Sequence, residues 1–275
     1  MGYNPEMSNH ENMPQIPDDA VSLTNGGRMP LLGFGTWEIK GDQAVDATRT
    51  ALECGYRHLD TATVYGNEAE VGRGLAESGV ARDDVFVTTK CGPPYEGREI
   101  ETLQRSLEML GTDHVDLWLV HWVHDDGLGL GLWEQFVQAQ EKGLARDIGV
   151  SNYSAEQIDQ LEKATGVRPA VNQIKWSPLL YDASVVQAHE DRGIVLEGYS
   201  GLKGGTLENE VITGLAERHG RTPAQVIVRW HLQHGFVAIP KSQNPDRIRA
   251  NVDVGGFELS SDDMAALDAL GSSQG

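Results

Sequence analysis

Val115-Asp116-Leu117-Trp118-Leu119-Val120-His121 is a near-continuous apolar run that stops on an imidazole. A short run of this kind reads as a strand buried on both faces, the hallmark of a parallel sheet. Upstream, Val85-Phe86-Val87-Thr88-Thr89-Lys90 repeats the pattern and stops on an amine, and Arg57-His58-Leu59-Asp60 stops on an acid, with Tyr65 five residues on. In a parallel barrel all strands point the same way, so residues at their C-terminal ends converge on one mouth. An acid, a phenol, an amine and an imidazole gathered there form a proton-donating site, because an ammonium lowers the pKa of a nearby phenol. Taken singly, Asp60 and Lys90 read as a structural ion pair, His121 as a core histidine and Tyr65 as a loop aromatic resting on the core. All of these coinciding at strand ends points to chemistry.

Working outward, strand candidates recur at 32–35, 56–60, 85–89, 115–121, 147–150, 170–173, 194–199 and 236–239. Helical periodicity fills the gaps at about 42–54, 67–78, 99–110, 132–142, 154–164, 183–191 and 223–233, with further helices near 208–219, 245–251 and 261–270. Eight strands alternating with helices predict an α/β fold, a (β/α)8 TIM barrel with extra C-terminal helices, as one domain over 20–275. Asn25-Gly26, the strongest short turn signal, joins 21–24 to 29–31 as an N-terminal β-hairpin. Residues 1–19 are polar and aperiodic and read as a mobile tail. No G-x-G-x-x-G follows a strand, since both Gly33-Phe34-Gly35 and Gly127-Leu128-Gly129-Leu130-Gly131 miss the spacing. The second stretch reads as a flexible lid over the mouth.

The chain of 275 residues carries 41 Asp and Glu against 22 Lys and Arg, a formal charge of −19. That field disfavours nucleic acid and anionic lipid as partners. No apolar run reaches the ~18 residues that would span a bilayer, and no secretory signal is expected from the N-terminal residues. Two cysteines, Cys54 and Cys91, make no disulfide framework and suit a reducing cytoplasm. Only seven lysines stand beside fifteen arginines. An acid-rich, Lys-poor surface suits molar salt, where the screening length falls to ~3 Å, so a halophilic protein is expected.

Four segments resemble those of the aldo-keto reductases: Leu59-Asp60-Thr61-Ala62 with Tyr65-Gly66-Asn67-Glu68, Leu119-Val120-His121-Trp122, Ile148-Gly149-Val150-Ser151-Asn152-Tyr153, and Ile239-Pro240-Lys241-Ser242. The resemblance extends over nearly the whole chain except the tail. It implies NADPH-dependent reduction of aldehydes and ketones on a barrel closed below by a hairpin. Tyr65 would then be the general acid, Lys90 and Asp60 would tune it, and His121 would orient the substrate carbonyl. Ser151, Asn152 and Gln173 would hold the nicotinamide carboxamide, and the Tyr199 ring would stack on the nicotinamide. Ser200 and Leu202, in the Gly-rich stretch to Gly205, would wrap the pyrophosphate. Lys241, Ser242 and Arg247 would meet a 2′-phosphate, with NADH possible as a second coenzyme, and Asn251 would contact adenine. Trp37 and Trp122 resemble the walls of the substrate pocket, whereas Trp118 and Trp230 read as core.

Val123, Gly201, Gly92 and Ala250 depart from the usual family residues. Gly92 implies a wider pocket and Ala250 a weaker adenine contact. Only 24 residues follow Asn251 (275 − 251), too few for a long C-terminal substrate loop. These traits resemble the short prokaryotic reductases of diketo-sugar acids and small aldehydes. Two rival readings stand beside this one: a Schiff-base lyase using Lys90 as its nucleophile, and a cofactor-sensing regulatory barrel without turnover. His121 with His124, Asp125 and Asp126 could mimic a metal site, but no metal is expected. A small carbonyl compound is the expected partner, and a monomer is the default for an otherwise open oligomeric state.

Overall fold

The computed structural model describes residues 16–92, 95, 97–123 and 127–271. Most of the expected tail therefore lies outside the described residues. At its end the Asp19 carbonyl accepts the Leu31 N–H at 2.9 Å. The hairpin pairs β1 (Ala20–Ser22) with β2 (Arg28–Pro30) in antiparallel register, Val21 opposite Met29. Its turn is longer than a two-residue one. The Leu23 N–H reaches the Gly27 carbonyl at 2.7 Å, with Gly26 supplying the positive φ of 85°.

Eight parallel strands follow in chain order: β3 (Phe34–Gly35), β4 (His58–Asp60), β5 (Phe86–Cys91), β6 (Val115–Val120), β7 (Ala145–Ser151), β8 (Val171–Lys175), β9 (Val195–Tyr199) and β10 (Val237–Ala238). A parallel bridge between Leu32 and Ala238 brings the first strand against the last. The Gly33 N–H donates to Ala238 O and the Ala238 N–H to Leu31 O, both at 2.8 Å. The hairpin lies across the bottom, where Met29 is fully buried and the Asn25 N–H bonds Asp147 of β7 at 3.3 Å.

The crossovers are α1 (Asp42–Glu53), α2 (Glu68–Ser78), α3 (Glu99–Leu110), α4 (Leu130–Glu141), α5 (Ala155–Thr165), α6 (Ala183–Glu190) and the pair α7 (Glu210–His219) and α8 (Pro223–Gln233). After β10, α9 (Pro245–Val252) packs against both α8 and α1 and completes the ring, and α10 (Ser261–Asp268) leans on α7. Caps set several of these limits. Ser154 with Gln157 and Thr222 with Gln225 form reciprocal capping boxes, and Asn209 accepts the Val211 and Ile212 N–H groups. That last cap explains why α7 begins at 210 rather than 208.

Strand limits shift for similar local reasons. Tyr56 does not open β4, because its N–H closes the end of α1 on Ala51 O. Conversely β7 starts earlier than its apolar run, since Ala145 pairs with Val115. The Gly127–Gly131 stretch does not behave as the expected free lid. Gly129, at φ 67°, caps α4; Gln157 holds the Gly127 carbonyl at 2.6 Å and Tyr153 Oη the Leu128 carbonyl at 3.0 Å. Trp118 and Trp230 are core, as expected: Trp118 stacks on Phe136 with centroids 3.5 Å apart, and Trp230 donates to Asp268 at 2.7 Å.

Two helical glycines make opposite demands. A Cβ on Gly72 of α2 would lie 2.6 Å from the Met109 carbonyl of α3, whereas one on Gly214 of α7 would meet nothing within 4 Å. Gly72→Ala should therefore destabilise by about 1–3 kcal/mol through overpacking. Gly214→Ala should stabilise by about 0.4–1 kcal/mol, because a more constrained unfolded chain loses less on folding. Urea denaturation of both variants checks this, and equal shifts would contradict the packing of α2 on α3.

Candidate active site

The strands deliver their terminal side chains to one ring. Asp60 ends β4 and Lys90 lies one residue short of the end of β5; His121 follows β6; Ser151 ends β7, Gln173 lies in β8 and Tyr199 ends β9. Tyr65 comes from a 3-10 turn, Thr63–Tyr65, that leaves β4 and is stopped by Gly66 in the left-handed region. The sequence spacing thus places the phenol over the acid that precedes it.

At the centre is the Lys90 ammonium, fully buried, with all three N–H donors in use. They reach Asp60 Oδ1 at 2.6 Å, Thr61 O at 2.9 Å and Tyr65 Oη at 3.4 Å. The second Asp60 oxygen accepts from Gln173 Nε2 at 2.9 Å, and its backbone carbonyl accepts from Thr36 Oγ1 at 2.9 Å. His121 stands edge-on to Tyr65, ring centroids 5.6 Å apart, and lies nearly parallel to the Trp122 ring at 5.7 Å. The four expected residues therefore share one cluster.

Their electrostatics differ from expectation in one respect. Burial lowers the ammonium pKa of Lys90, but the acids around it, Asp60 first and Tyr65 next, together more than compensate, so it lies above its ordinary value. Lys90 does depress Tyr65 as expected, yet burial of the phenol outweighs that pull and Asp60 opposes it, so Tyr65 ends above its ordinary value. His121 is pushed down to about 3, first by burial and then by Lys90, and is neutral over the working range. A neutral imidazole can donate to a carbonyl oxygen without competing for the proton of Tyr65.

The groups expected to hold a coenzyme divide into an inner and an outer layer. Ser151 and Gln173 are buried: Ser151 Oγ donates to Gln173 O at 2.8 Å, and the Gln173 amide is committed to Asp60. Asn152 reaches further out, donating to Ser151 Oγ at 3.0 Å and accepting from Tyr199 Oη at 2.8 Å. Asn152 and Ser200 have φ of 65° and 57°, and Glu38 has 61°. Side chains in that region cost of order 1–3 kcal/mol, and all three lie on loops leaving strand ends of the mouth. Leu202 is half-buried on the loop after β9, which turns through Gly204 and Gly205 at positive φ with open space where a Cβ would be. Beyond β10, Lys241 is partly exposed, Ser242 and Asn251 are buried and Arg247 is exposed in the first turn of α9. Trp37 and Trp122 are 43% and 51% exposed on the rim, together with Val64 at 49%.

Two residues near the site carry no sequence-level assignment. Glu38 lies 3.8 Å from both Lys203 and Lys241, while the Lys203 ammonium sits 3.9 Å over the Trp37 ring. Its signal was an acid directly after Trp37. Glu197 is fully buried inside the barrel, and its signal was a charge interrupting Ile194-Val195-Leu196-Glu197-Gly198. The imagined metal set with His124, Asp125 and Asp126 rests on residues outside those described. Among the described residues no cluster of three metal-ligating side chains occurs.

A Schiff base on Lys90 does not suit this geometry, because a nucleophilic amine must be neutral and this one is held charged by Asp60. Residues 31–272 match the model of the aldo/keto reductase family. An aldo-keto reductase of Mycolicibacterium vanbaalenii is 45% identical over 254 residues, covering 91% of either chain. The crystal structure of an aldo/keto reductase from Brucella melitensis superposes with a TM-score of 0.88 at 40% identity, covering 93% of this chain and 99% of that one. A Bombyx mori aldo-keto reductase in complex with NADP superposes at 0.84 with 33% identity and 93% coverage of each. The chain belongs to the aldo/keto reductase family.

Proposed function

We propose that this protein reduces aldehydes or ketones to alcohols with NADPH, Tyr65 delivering the proton. The observation that carries this reading is the saturated Lys90 ammonium, two of whose donors are fixed to β4 and its loop while the third faces the phenol. The coenzyme, when bound, supplies the hydride. Tyr65 gives its proton to the substrate oxygen as charge develops there, and Lys90 stabilises the phenolate left behind. His121 donates a hydrogen bond to the same oxygen and so fixes which carbonyl face is presented. Trp37, Val64 and Trp122 exclude water around the reacting carbon. Asn152, braced by Tyr199, is free on its outer side to meet the carboxamide. The loop at Gly204 and Gly205 lets backbone approach a pyrophosphate closely.

Gly92 lies against His121, where an added Cβ would be 3.3 Å from the histidine Cβ. A missing side chain at that point leaves room for branched or polyhydroxylated carbonyls, including diketo-sugar acids. The same proposal takes the enzyme as a monomer, in the cytoplasm on the strength of its two cysteines without a disulfide framework, and in a salt-adapted cell on the strength of the −19 charge and the scarce lysines.

Tyr65→Phe should keep coenzyme affinity and lose about 10²–10⁴-fold in kcat, the usual contribution of general acid catalysis. Parallel coenzyme fluorescence and turnover measure the two; near-normal turnover would exclude Tyr65 as the donor.

Coenzyme choice is testable at Arg247. Its guanidinium is exposed, so its bond to a 2′-phosphate is screened by salt. Arg247→Ala should weaken NADPH by about tenfold at fixed low salt and leave NADH nearly unchanged. Equal use of both coenzymes, unaltered in the variant, would refute this pocket.

Salt should raise Tm as KCl goes from tenths molar to molar, because screening relieves repulsion among surface carboxylates. A flat or falling Tm would overturn the salt-adapted reading and leave the reductase reading intact.

A further inference from the structure

Below the Lys90–Asp60 pair the barrel interior holds another carboxyl, at hydrogen-bond distance from neither member of that pair. Glu197 sits in the middle of β9, between Gln173 of β8 and Val237 of β10 in the parallel register, and is fully buried. Among the described residues neither of its oxygens has a partner at full hydrogen-bond geometry, and the amide of the neighbouring Gln173 is its one polar side-chain contact that favours the ionised form. The amide of Gln173 is spent on Asp60 at 2.9 Å. The nearest basic atom, His58 Nε2 of β4, is 3.9 Å from Oε1 and is itself engaged with Thr88 Oγ1 at 3.1 Å.

The titratable groups that face Glu197 are His58 and Asp60 from β4, Lys90 from β5, and Tyr65 above them. Gln173 is neutral, and β10 offers only Val237 and Ala238. Among the groups that face Glu197, one ammonium therefore serves two carboxyls, and Asp60 already holds it at 2.6 Å. His58 supplies no second cation, because burial pushes its imidazole down to about 4. Among Lys90, Asp60 and Glu197 the charge sums to zero with Glu197 protonated and to −1 with Glu197 ionised. An uncompensated charge in a dry interior is costly, and the group keeps its proton instead. Burial, with Asp60 adding to it, lifts Glu197 to about 8.

We propose that Glu197 is a positioning residue of the reductase reaction: its protonated carboxyl keeps the group it forms with Lys90 and Asp60 neutral, and losing that proton strengthens the hold of Tyr65 on its own. The proposal rests on Tyr65 being the proton donor. The sign follows from charge. Ionised Glu197 adds a negative field that disfavours phenolate, so Tyr65 becomes a weaker acid in reduction and a scarcer base in alcohol oxidation. Activity in both directions therefore declines as pH rises through about 8, the value at which Glu197 ionises. The proton lost from Glu197 goes to solvent; no bond other than its O–H changes.

The test compares Glu197→Gln, which keeps shape and removes the titration, with the unaltered protein. Tyr65 phenolate is followed by ultraviolet absorbance, subtracting the matching Tyr65→Phe protein in each background. Tyr65 should titrate lower in Glu197→Gln by on the order of one pH unit. At saturating NADPH and a small aldehyde, kcat of the unaltered protein should fall severalfold between about pH 7 and 9, while Glu197→Gln stays flat there. Glu197→Asp should restore the falling limb. A merely structural role would alter Tm or KM and leave the limb in place.

Identical Tyr65 titrations in the two backgrounds would overturn the proposal. If Glu197→Gln does not fold, infrared spectroscopy of the unaltered protein decides: a protonated carboxylic acid band lost with a midpoint near 8 supports it, and none present at pH 7 overturns it. Absence of turnover with every carbonyl at every pH would sink the reductase reading, while the phenol titration would still decide whether Glu197 governs Tyr65.

Discussion

The buried contact between Lys90 and Asp60 is the constraint on which the mouth of this barrel depends. Moving an ammonium and a carboxylate out of water is expensive, and Coulomb attraction alone seldom repays it. Here every donor of the ammonium has an acceptor, and Asp60 is further held by Gln173 through one carboxylate oxygen and by Thr36 through its main-chain carbonyl. The pair thus ties β4, β5, β8 and the residue that follows β3 together across the barrel. Removing one partner would strand the other charge, which typically costs about 3–5 kcal/mol. The position of the phenol follows from that arrangement, because it takes the one ammonium direction not spent on β4 and its loop.

Charge is distributed against the grain of the whole molecule. The protein carries −19 and only seven lysines, yet Lys40, Lys90, Lys203 and Lys241 all lie around the strand ends of the mouth. Lys40 donates to the Tyr65 carbonyl, and Lys203 and Lys241 face each other across Glu38. A local positive region on an acidic body focuses anions on the mouth and leaves the remaining surface repulsive to them. Backbone strain is concentrated in the same place, at Glu38, Asn152 and Ser200, which is where pre-shaped loops cost stability in order to present side chains.

Much of the fold was legible because barrel strands are buried on both faces and announce themselves as unbroken apolar runs. Limits that depend on partners were not. The early start of β7 comes from Ala145 pairing with Val115, and β4 starts late because Tyr56 finishes α1. The glycine-rich stretch at 127–131 reads as loose by composition alone, yet Tyr153 and Gln157, more than twenty residues away, pin its carbonyls.

For the site, sequence alone determined its membership: Asp60, Tyr65, Lys90 and His121 each close or follow a strand-like run, and the C-terminal ends of parallel strands can only meet at one mouth. What tertiary structure alone decided is the balance of forces on those groups. Whether Lys90 or burial governs the Tyr65 phenol depends on how much water the closed ring excludes, and burial prevails. Whether Gln173 faces outward or braces Asp60, and whether Glu197 finds a cation, depend on distances across the barrel between residues up to 139 apart in sequence (197 − 58). Local pattern says which side chains point inward; only the closed barrel sets how many charges must share one ammonium.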